Sequence, residues 1–241
     1  MIDEIDYTKG YTRVPHKIIR RVLMHVNFGA HESRIFWTIY LWSSFQEEFS
    51  WNSTYRILSK KAGLDYRNAF LSVKMLIDKN IVSASKSKTE LRKTNFSINM
   101  IVKSWKVEFH EKKIQKQIKA NLYNNTTDDI KYYTGYCRIP NTMMNGLISI
   151  NFSARESRVF WTIISRTWSW RKPAYYISYR EIANECAMDL HDTHTSIQHL
   201  IDKNIIISEP SKRKTNFAIN QHADSWQNEV NRLKIGQKFR H

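Results

Sequence analysis

The sequence predicts a mainly α-helical α+β fold with small β hairpins, built from two tandem copies of one unit. Three observations predict it: an internal repeat, the order of helix-like and strand-like segments in each copy, and an excess of basic residues. The 241-residue chain has 38 Lys and Arg, 22 Asp and Glu and a formal net charge of +16. With 41% hydrophobic residues the chain can bury a core, which excludes intrinsic disorder as its main state. Its charge favours a polyanionic partner, such as nucleic acid or an anionic membrane surface.

The internal repeat is visible by eye. Asn27–Ile39 reads NFGAHESRIFWTI, and Asn151–Ile163 reads NFSARESRVFWTI, 124 positions later. The segment LIDKNI occurs at both Leu76–Ile81 and Leu200–Ile205, at the same spacing. We predict a first domain over residues 1–103, a basic helical linker over 104–131, a second domain over 132–226 and a basic tail over 227–241.

The first two elements of each copy are helices. Pro15 and Pro140 suit the first position of a helix, where the missing N–H costs nothing. A second helix begins near Ala30 or Ser153 and carries an apolar face at helical spacing. In the linker, apolar residues four positions apart predict a further helix, from Trp105 to about Asn125, studded with lysines.

The middle of each copy combines a short strand with two helices. The predicted elements are a strand at Phe49–Ser53 or Tyr175–Ser178, a third helix at Tyr55–Ala62 or Tyr179–Cys186, and a fourth helix ending at Lys79 or Lys203. The carboxylates of Asp65 and Asp189 are placed to cap the fourth helix.

Each copy ends in a β hairpin with a basic tip. The predicted strands are Ile81–Ser85 and Asn95–Asn99 in the first copy, and Ile205–Ser208 and Asn216–Asn220 in the second. Helix, helix, strand, helix, turn, helix and hairpin is the order of a winged helix-turn-helix domain, in which the fourth helix enters the major groove of DNA. The predicted architecture is therefore two tandem winged helix-turn-helix domains joined by a helical linker.

The second copy also contains a set of characteristic segments: YCRIPN at Tyr136–Asn141, RESR at Arg155–Arg158, SRTWSWRK at Ser165–Lys172, and TNFAIN at Thr215–Asn220 followed by Trp226. These resemble the N-terminal DNA-binding domain of the lambdoid phage replication protein O family. The resemblance implies a winged helix that binds origin DNA, with replication proteins as further partners. The first copy departs from the pattern, since Trp42–Glu48 lacks the basic residues of SRTWSWRK and His16 replaces Asn141.

Spacing of three and four residues predicts the buried face of each fourth helix: Ala69, Val73, Leu76 and Ile77 in the first copy, and Thr193, Ile197, Leu200 and Ile201 in the second. The opposite, outward face carries side chains that can read base edges. The candidate base-contacting residues are Arg67, Asn68, Leu71 and Lys74 in the first copy, and His191, Asp192, His194, Thr195 and Gln198 in the second. The candidate phosphate contacts lie at the hairpin tips: Lys86, Lys88, Arg92 and Lys93, and Lys212, Arg213 and Lys214. A solvated helix face and a merely polar hairpin are the alternative interpretations.

Little in the sequence indicates catalysis. With 6 glycines and no Gly-rich phosphate loop, a P-loop nucleotidase is excluded. Cys186, His191, His194 and His199 cluster in the sequence, but the first copy has no equivalent set, so we expect no metal, no cofactor and no enzyme activity. The polar N-terminus, the two cysteines and the absence of a long apolar run predict a cytoplasmic protein without a membrane partner.

The sequence thus predicts a protein that binds specific double-stranded DNA, a replication initiator or origin binder of a phage, plasmid or mobile element. A transcriptional repressor of the same architecture is the alternative, followed by a DNA-nicking initiator enzyme and a protein-docking module. We expect a monomer that binds two non-identical half-sites, with its domains arranged either as a pseudo-twofold or as a direct repeat.

Overall fold

A computed structural model describes residues 5–44, 49–88, 90–101, 104–106 and 135–227. Within these ranges the chain is an α+β structure of helices and small antiparallel sheets, which confirms the α+β part of the predicted fold class. The two tandem winged helix-turn-helix domains stay a prediction. The predicted helix beyond residue 106 and the basic tail beyond residue 227 lie outside the described residues. We call the described residues 5–106 the first repeat and 135–227 the second repeat. No described helix has the length and apolar character that crossing a membrane requires.

The first repeat contains β1 (Tyr11–Pro15), α1 (His16–Ile18), α2 (Ala30–Ser43), β2 (Ser50–Ser53), α3 (Tyr55–Lys61), α4 (Tyr66–Asp78), β3 (Val82–Lys86) and β4 (Thr94–Ile98). The second contains β5 (Tyr136–Pro140), α5 (Asn141–Ser149), α6 (Ala154–Arg166), β6 (Ala174–Ile177), α7 (Tyr179–Cys186), α8 (Leu190–Asp202), β7 (Ile206–Pro210) and β8 (Thr215–Ile219). The predicted second to fourth helices and the hairpin strands are confirmed to within a residue or two.

The structure differs from the prediction in the strands that begin both repeats and in the first helix of the first repeat. The strands β1 and β5 were not predicted, and Pro15 and Pro140, expected at the first position of a helix, are instead the last residues of these strands. The first helix of the first repeat was predicted to be a regular α-helix. This prediction is wrong in detail, because α1 continues as a π-helical turn over Ile19–Leu23. The N–H of Met24 donates to the carbonyl of Ile19, five residues back, and this longer bond widens the turn.

The helix starts follow from capping residues that both repeats share. The side chain of Asp65 accepts a hydrogen bond from the N–H of Asn68 at 2.8 Å, and that of Asp189 accepts one from Asp192 at 2.7 Å. These caps satisfy backbone donors that have no partner within the helix, as predicted from the sequence.

Each repeat folds its hairpin into a three-stranded antiparallel sheet, in the order β2-β4-β3 or β6-β8-β7. The central strands contribute Phe96 and Phe217, both fully buried. Behind each sheet a tryptophan closes the core: the indole N–H of Trp105 donates to the carbonyl of Asn99 at 2.7 Å, and that of Trp226 to Asn220 at 2.8 Å. The repeated residues after β4 and β8 are therefore structural.

The two repeats share a core. Trp37 and Trp161 occupy equivalent positions on α2 and α6, are each 1% exposed, and stack on one another with ring centroids 4.9 Å apart. Both tryptophans are core residues, and the core that they fill is the junction between the repeats.

Strands β1 and β5 pair across this junction in an antiparallel sheet. Arg13 lies opposite Arg138, Tyr11 opposite Pro140, and Pro15 opposite Tyr136. This register reads the same from either repeat, so the pairing has local twofold symmetry. The guanidinium of Arg13 lies 4.9 Å from the ring centroid of Tyr136, and that of Arg138 lies 4.8 Å from the ring of Tyr11.

At the junction, helices of each repeat pack against helices of the other. Helix α5 packs against α2 of the first repeat, and the π-helical turn packs against α6 of the second. Arg34 on α2 donates from Nε to the carbonyl of Ile148 at 2.8 Å and from Nη1 to the side chain of Asn151 at 3.2 Å. The predicted domain boundaries stay predictions, but the repeats they delimit are packed into one another.

Candidate nucleic-acid interface

The outward face of α4 is formed by five side chains at helical spacing: Arg67, Phe70, Leu71, Lys74 and Met75, all exposed. Arg67, Leu71 and Lys74 were predicted here. Phe70 and Met75, 44% and 48% exposed, were missed, although their positions three and four residues from the predicted ones would have revealed them.

The remaining α4 predictions have mixed outcomes. Asn68 is half-buried, and its side-chain amide donates to the carboxylate of Asp65. Ala69, Val73 and Leu76 are buried, as the spacing predicts. Ile77 was predicted to be buried but is 38% exposed, because it lies at the edge of the buried stripe, about 40° around the helix from Val73.

The equivalent face of α8 is polar. His191, His194, Thr195 and Gln198 are exposed, as predicted. Asp192 is half-buried, since its carboxylate forms an ion pair with Arg155 at 2.8 Å. The amide of Gln198 donates to Asp202 at 2.9 Å, and the hydroxyl of Thr195 donates to the carbonyl of His191 at 3.1 Å. On binding DNA, Gln198 and Thr195 would exchange these weak surface hydrogen bonds for hydrogen bonds to base edges.

One side chain on each outward face packs against a tyrosine ring of the preceding helix. His194 stacks on Tyr179 of α7, with ring centroids 3.9 Å apart and an interplanar angle of 9°. At the equivalent place in the first repeat, Phe70 lies against Tyr55 of α3, with centroids 5.3 Å apart. These contacts limit the rotamers of Phe70 and His194 before any ligand is bound.

The tip of the first hairpin is basic and exposed. Lys86, Lys88 and Arg92 are exposed, whereas Lys93 is half-buried and forms an ion pair with Glu90. Beside them Leu91 is 98% exposed. Three of the four predicted cations therefore face solvent.

The second hairpin is also basic, and it is tied to α7. Lys212, Arg213 and Lys214 are exposed. The ammonium of Lys214 lies 2.9 Å from the carboxylate of Glu181. Hydrogen bonds from the backbone and hydroxyl of Ser178, together with that from Lys214, lower the pKa of Glu181 to about 2. One predicted phosphate contact thus already has an anionic partner.

A repeated ion pair fixes the C-terminal end of each outward-facing helix. Lys79, just beyond α4, lies 2.6 Å from Glu32 on α2, and Lys203, just beyond α8, lies 2.7 Å from Glu156 on α6. Both glutamates are buried. Because α2 and α6 also form the junction, the two exposed faces are held in a defined relation to each other.

The residues considered for metal binding or thiol chemistry do not converge. Cys137 and Cys186 are buried, and burial raises the pKa of each thiol to about 12, which makes them poor nucleophiles. His191, His194 and His199 lie along exposed α8. In the part of the chain that the structure describes, no three His, Cys, Asp or Glu side chains form a metal-binding group.

Residues 129–226 match the family model of bacteriophage replication protein O. The match supports the resemblance derived from the second copy and indicates a role related to phage replication. It covers one copy of the unit. No curated protein matches the chain.

Within the match to bacteriophage replication protein O lie α8, its hairpin, and β5 and α6 of the junction. The whole face of α4 lies outside it. The polar face of α8 and the tip at Lys212–Lys214 thus lie within the matched residues, and the apolar face of α4 lies outside them.

Proposed function

We propose that the chain binds specific double-stranded DNA and acts as a replication initiator or origin binder of a phage, plasmid or mobile element. The observation that carries the proposal is the equivalent placement, in both repeats, of an exposed helix face and a basic hairpin tip. The match to bacteriophage replication protein O favours replication over transcriptional repression, the alternative with the same DNA-binding surface.

Each repeat acts as a winged helix in this proposal. The helix order and the sheet orders β2-β4-β3 and β6-β8-β7 support it. Helices α4 and α8 enter successive major grooves and read base edges, while the hairpins contact phosphates and add affinity without sequence information. No cofactor is needed, and no chemical step takes place on the DNA.

One chain presents two half-site readers in inverted orientation. The antiparallel pairing of β1 with β5 and the mutual stacking of Trp37 and Trp161 support a twofold arrangement over a direct repeat. Since the faces of α4 and α8 differ at every one of their five positions, the inverted half-sites differ in sequence. A homodimer of one winged helix would instead read a palindrome.

Salt dependence tests DNA binding itself. Affinity of the full chain for duplex DNA should fall by about 10³ to 10⁵ between 50 and 200 mM salt, because six to ten phosphate contacts release counterions. Fluorescence anisotropy with a labelled duplex measures it. An affinity that does not change over this range would overturn the proposal.

Substitutions at the tip of the first hairpin test whether it contacts phosphates. Replacing Lys86, Lys88, Arg92 and Lys93 by Ala should weaken binding to all sequences alike and reduce the salt slope. Replacing the three lysines by Arg keeps the charge and should keep the slope. If the alanine variant keeps its slope but loses discrimination between sequences, the phosphate-contacting role of this hairpin is wrong.

A further inference from the structure

The face of α4 exposes an unusual amount of apolar surface. Tyr66 is 57% exposed, Phe70 44%, Leu71 45% and Met75 48%. Large apolar side chains grouped on one exposed face are costly in water and indicate a binding surface. Leu71 and Met75 lie opposite the buried stripe of α4, whereas Tyr66 and Phe70 also contact the ring of Tyr55 on α3.

This apolar surface is particular to the first repeat. At the positions equivalent to Phe70, Leu71 and Met75, helix α8 carries His194, Thr195 and His199. The two repeats share the aspartate caps, the central-strand phenylalanines and the ion pair of a buried glutamate, so this common framework does not require the apolar side chains. A difference of this kind changes what is recognised and leaves the fold intact.

The charges around the apolar side chains identify the occupant. Arg67 and Lys74 lie on the same face, one turn on either side of Phe70 and Leu71, and both are exposed. The basic tip of the first hairpin belongs to the same repeat. Apolar groups framed by cations fit the major groove, where phosphates border base edges.

We propose that α4 recognises thymine C5-methyl groups through Phe70, Leu71 and Met75, so that its half-site is richer in contacted thymines than that of α8. The proposal rests on the proposed function and specifies which bases that surface reads. Thymine is the base that displays a methyl group in the major groove, and apolar side chains are its natural contacts. Tyr55 holds Phe70 in place for this contact.

The test removes the methyl group and nothing else. A duplex selected by the full chain from random DNA is synthesised with deoxyuridine in place of thymidine in one half-site at a time. Base pairing is retained. Each lost methyl contact should weaken binding about fourfold, the equivalent of one buried methylene. Two or three contacts predict a loss of about 15- to 60-fold for the α4 half-site, and no more than about fourfold for the other.

A variant assigns the effect to the helix. Leu71→Ala should weaken binding to the thymidine duplex and reduce the penalty of deoxyuridine in the α4 half-site. The matched control is Thr195→Ala at the equivalent position of α8, which should leave that penalty unchanged. Phe70→Ala is less suitable, because it would also remove the contact of Phe70 with Tyr55. Circular dichroism and thermal melting verify that each variant is folded.

The outcomes separate this inference from the proposed function. Equal affinity for thymidine and deoxyuridine duplexes, with salt-dependent specific binding intact, overturns the thymine reading alone. If the unmodified chain does not bind duplex DNA at all, both the proposed function and the thymine inference are wrong. If Leu71→Ala leaves DNA affinity unchanged in a folded protein, the apolar face serves a protein partner and the inference is wrong.

Discussion

Replacing Trp37 by Ala tests whether the two repeats fold as one unit. Trp37 is 1% exposed and stacks on Trp161 of the other repeat at 4.9 Å. Truncating a buried tryptophan costs about 3 to 5 kcal/mol through lost burial and the cavity left behind. Of this, about 0.5 to 1.5 kcal/mol should come from the ring pair itself. We expect the free energy of unfolding of the whole chain to fall by the full amount.

Urea unfolding monitored by circular dichroism gives the measurement, and a double-mutant cycle with Trp161→Ala isolates the coupling between the rings. If the full variant is too unstable, Trp37→Phe gives a smaller effect in the same direction. Trp170→Ala is the control: its indole is 60% exposed, and losing the contact with the Arg20 guanidinium, 5.3 Å from its ring centroid, should cost no more than about 1 kcal/mol. Two separate transitions, of which Trp37→Ala shifts only one, would refute the shared core.

Three further predictions concern an ion pair, a buried histidine and a tightly packed glycine. Lys203→Met should cost about 3 kcal/mol, because it leaves Glu156 buried without its cation, whereas Lys214→Met, at an exposed pair, should cost less than about 1 kcal/mol; equal costs in urea unfolding would contradict this. Burial, aided by a nearby arginine, lowers the pKa of His25 from 6.5 to about 4, so the unfolded chain binds the proton more tightly and stability falls with pH below about 6.5. The loss attributable to this group should be about 2 kcal/mol between pH 7 and pH 5 and should be absent from His25→Gln; an unchanged pH dependence in that variant would exclude it. Gly146→Ala should cost about 1 to 3 kcal/mol, since its Cβ would lie 2.6 Å from a neighbouring Cβ, and an unchanged melting temperature would show that the helix can shift.

Local elements were predictable from the sequence because their determinants are local. A capping side chain such as Asp65 or Asp189 acts on a backbone N–H three residues away. The buried stripe of a helix follows from its own spacing, and the internal repeat provides each pattern twice. The helices α2 to α4 and α6 to α8 and the hairpin strands were therefore placed correctly.

The junction was not predictable, because its partners are more than a hundred residues apart. Nothing within the segment YTRVP indicates that β1 pairs with β5. The spacing of apolar residues indicates that Trp37 and Trp161 are buried, but it does not indicate that they stack on each other between the repeats. The candidate site lies between these cases. Charge and hydrogen-bonding capacity made Arg67 and Gln198 candidates, while Phe70 and Met75 were overlooked because their side chains have neither.

The central claim is that one chain reads two different half-sites in inverted orientation. Selection on random DNA with the full chain, followed by light scattering of the complex, tests it most directly. We predict one chain per duplex and an inverted, non-identical pair of half-sites. Arg67→Ala should relax one or two base pairs in one half, at a cost of about 1 to 3 kcal/mol if it contacts a guanine, and Gln198→Ala should do so in the other half. A perfect palindrome, a direct repeat, a requirement for two chains, or relaxation of the same positions by both variants would contradict the account.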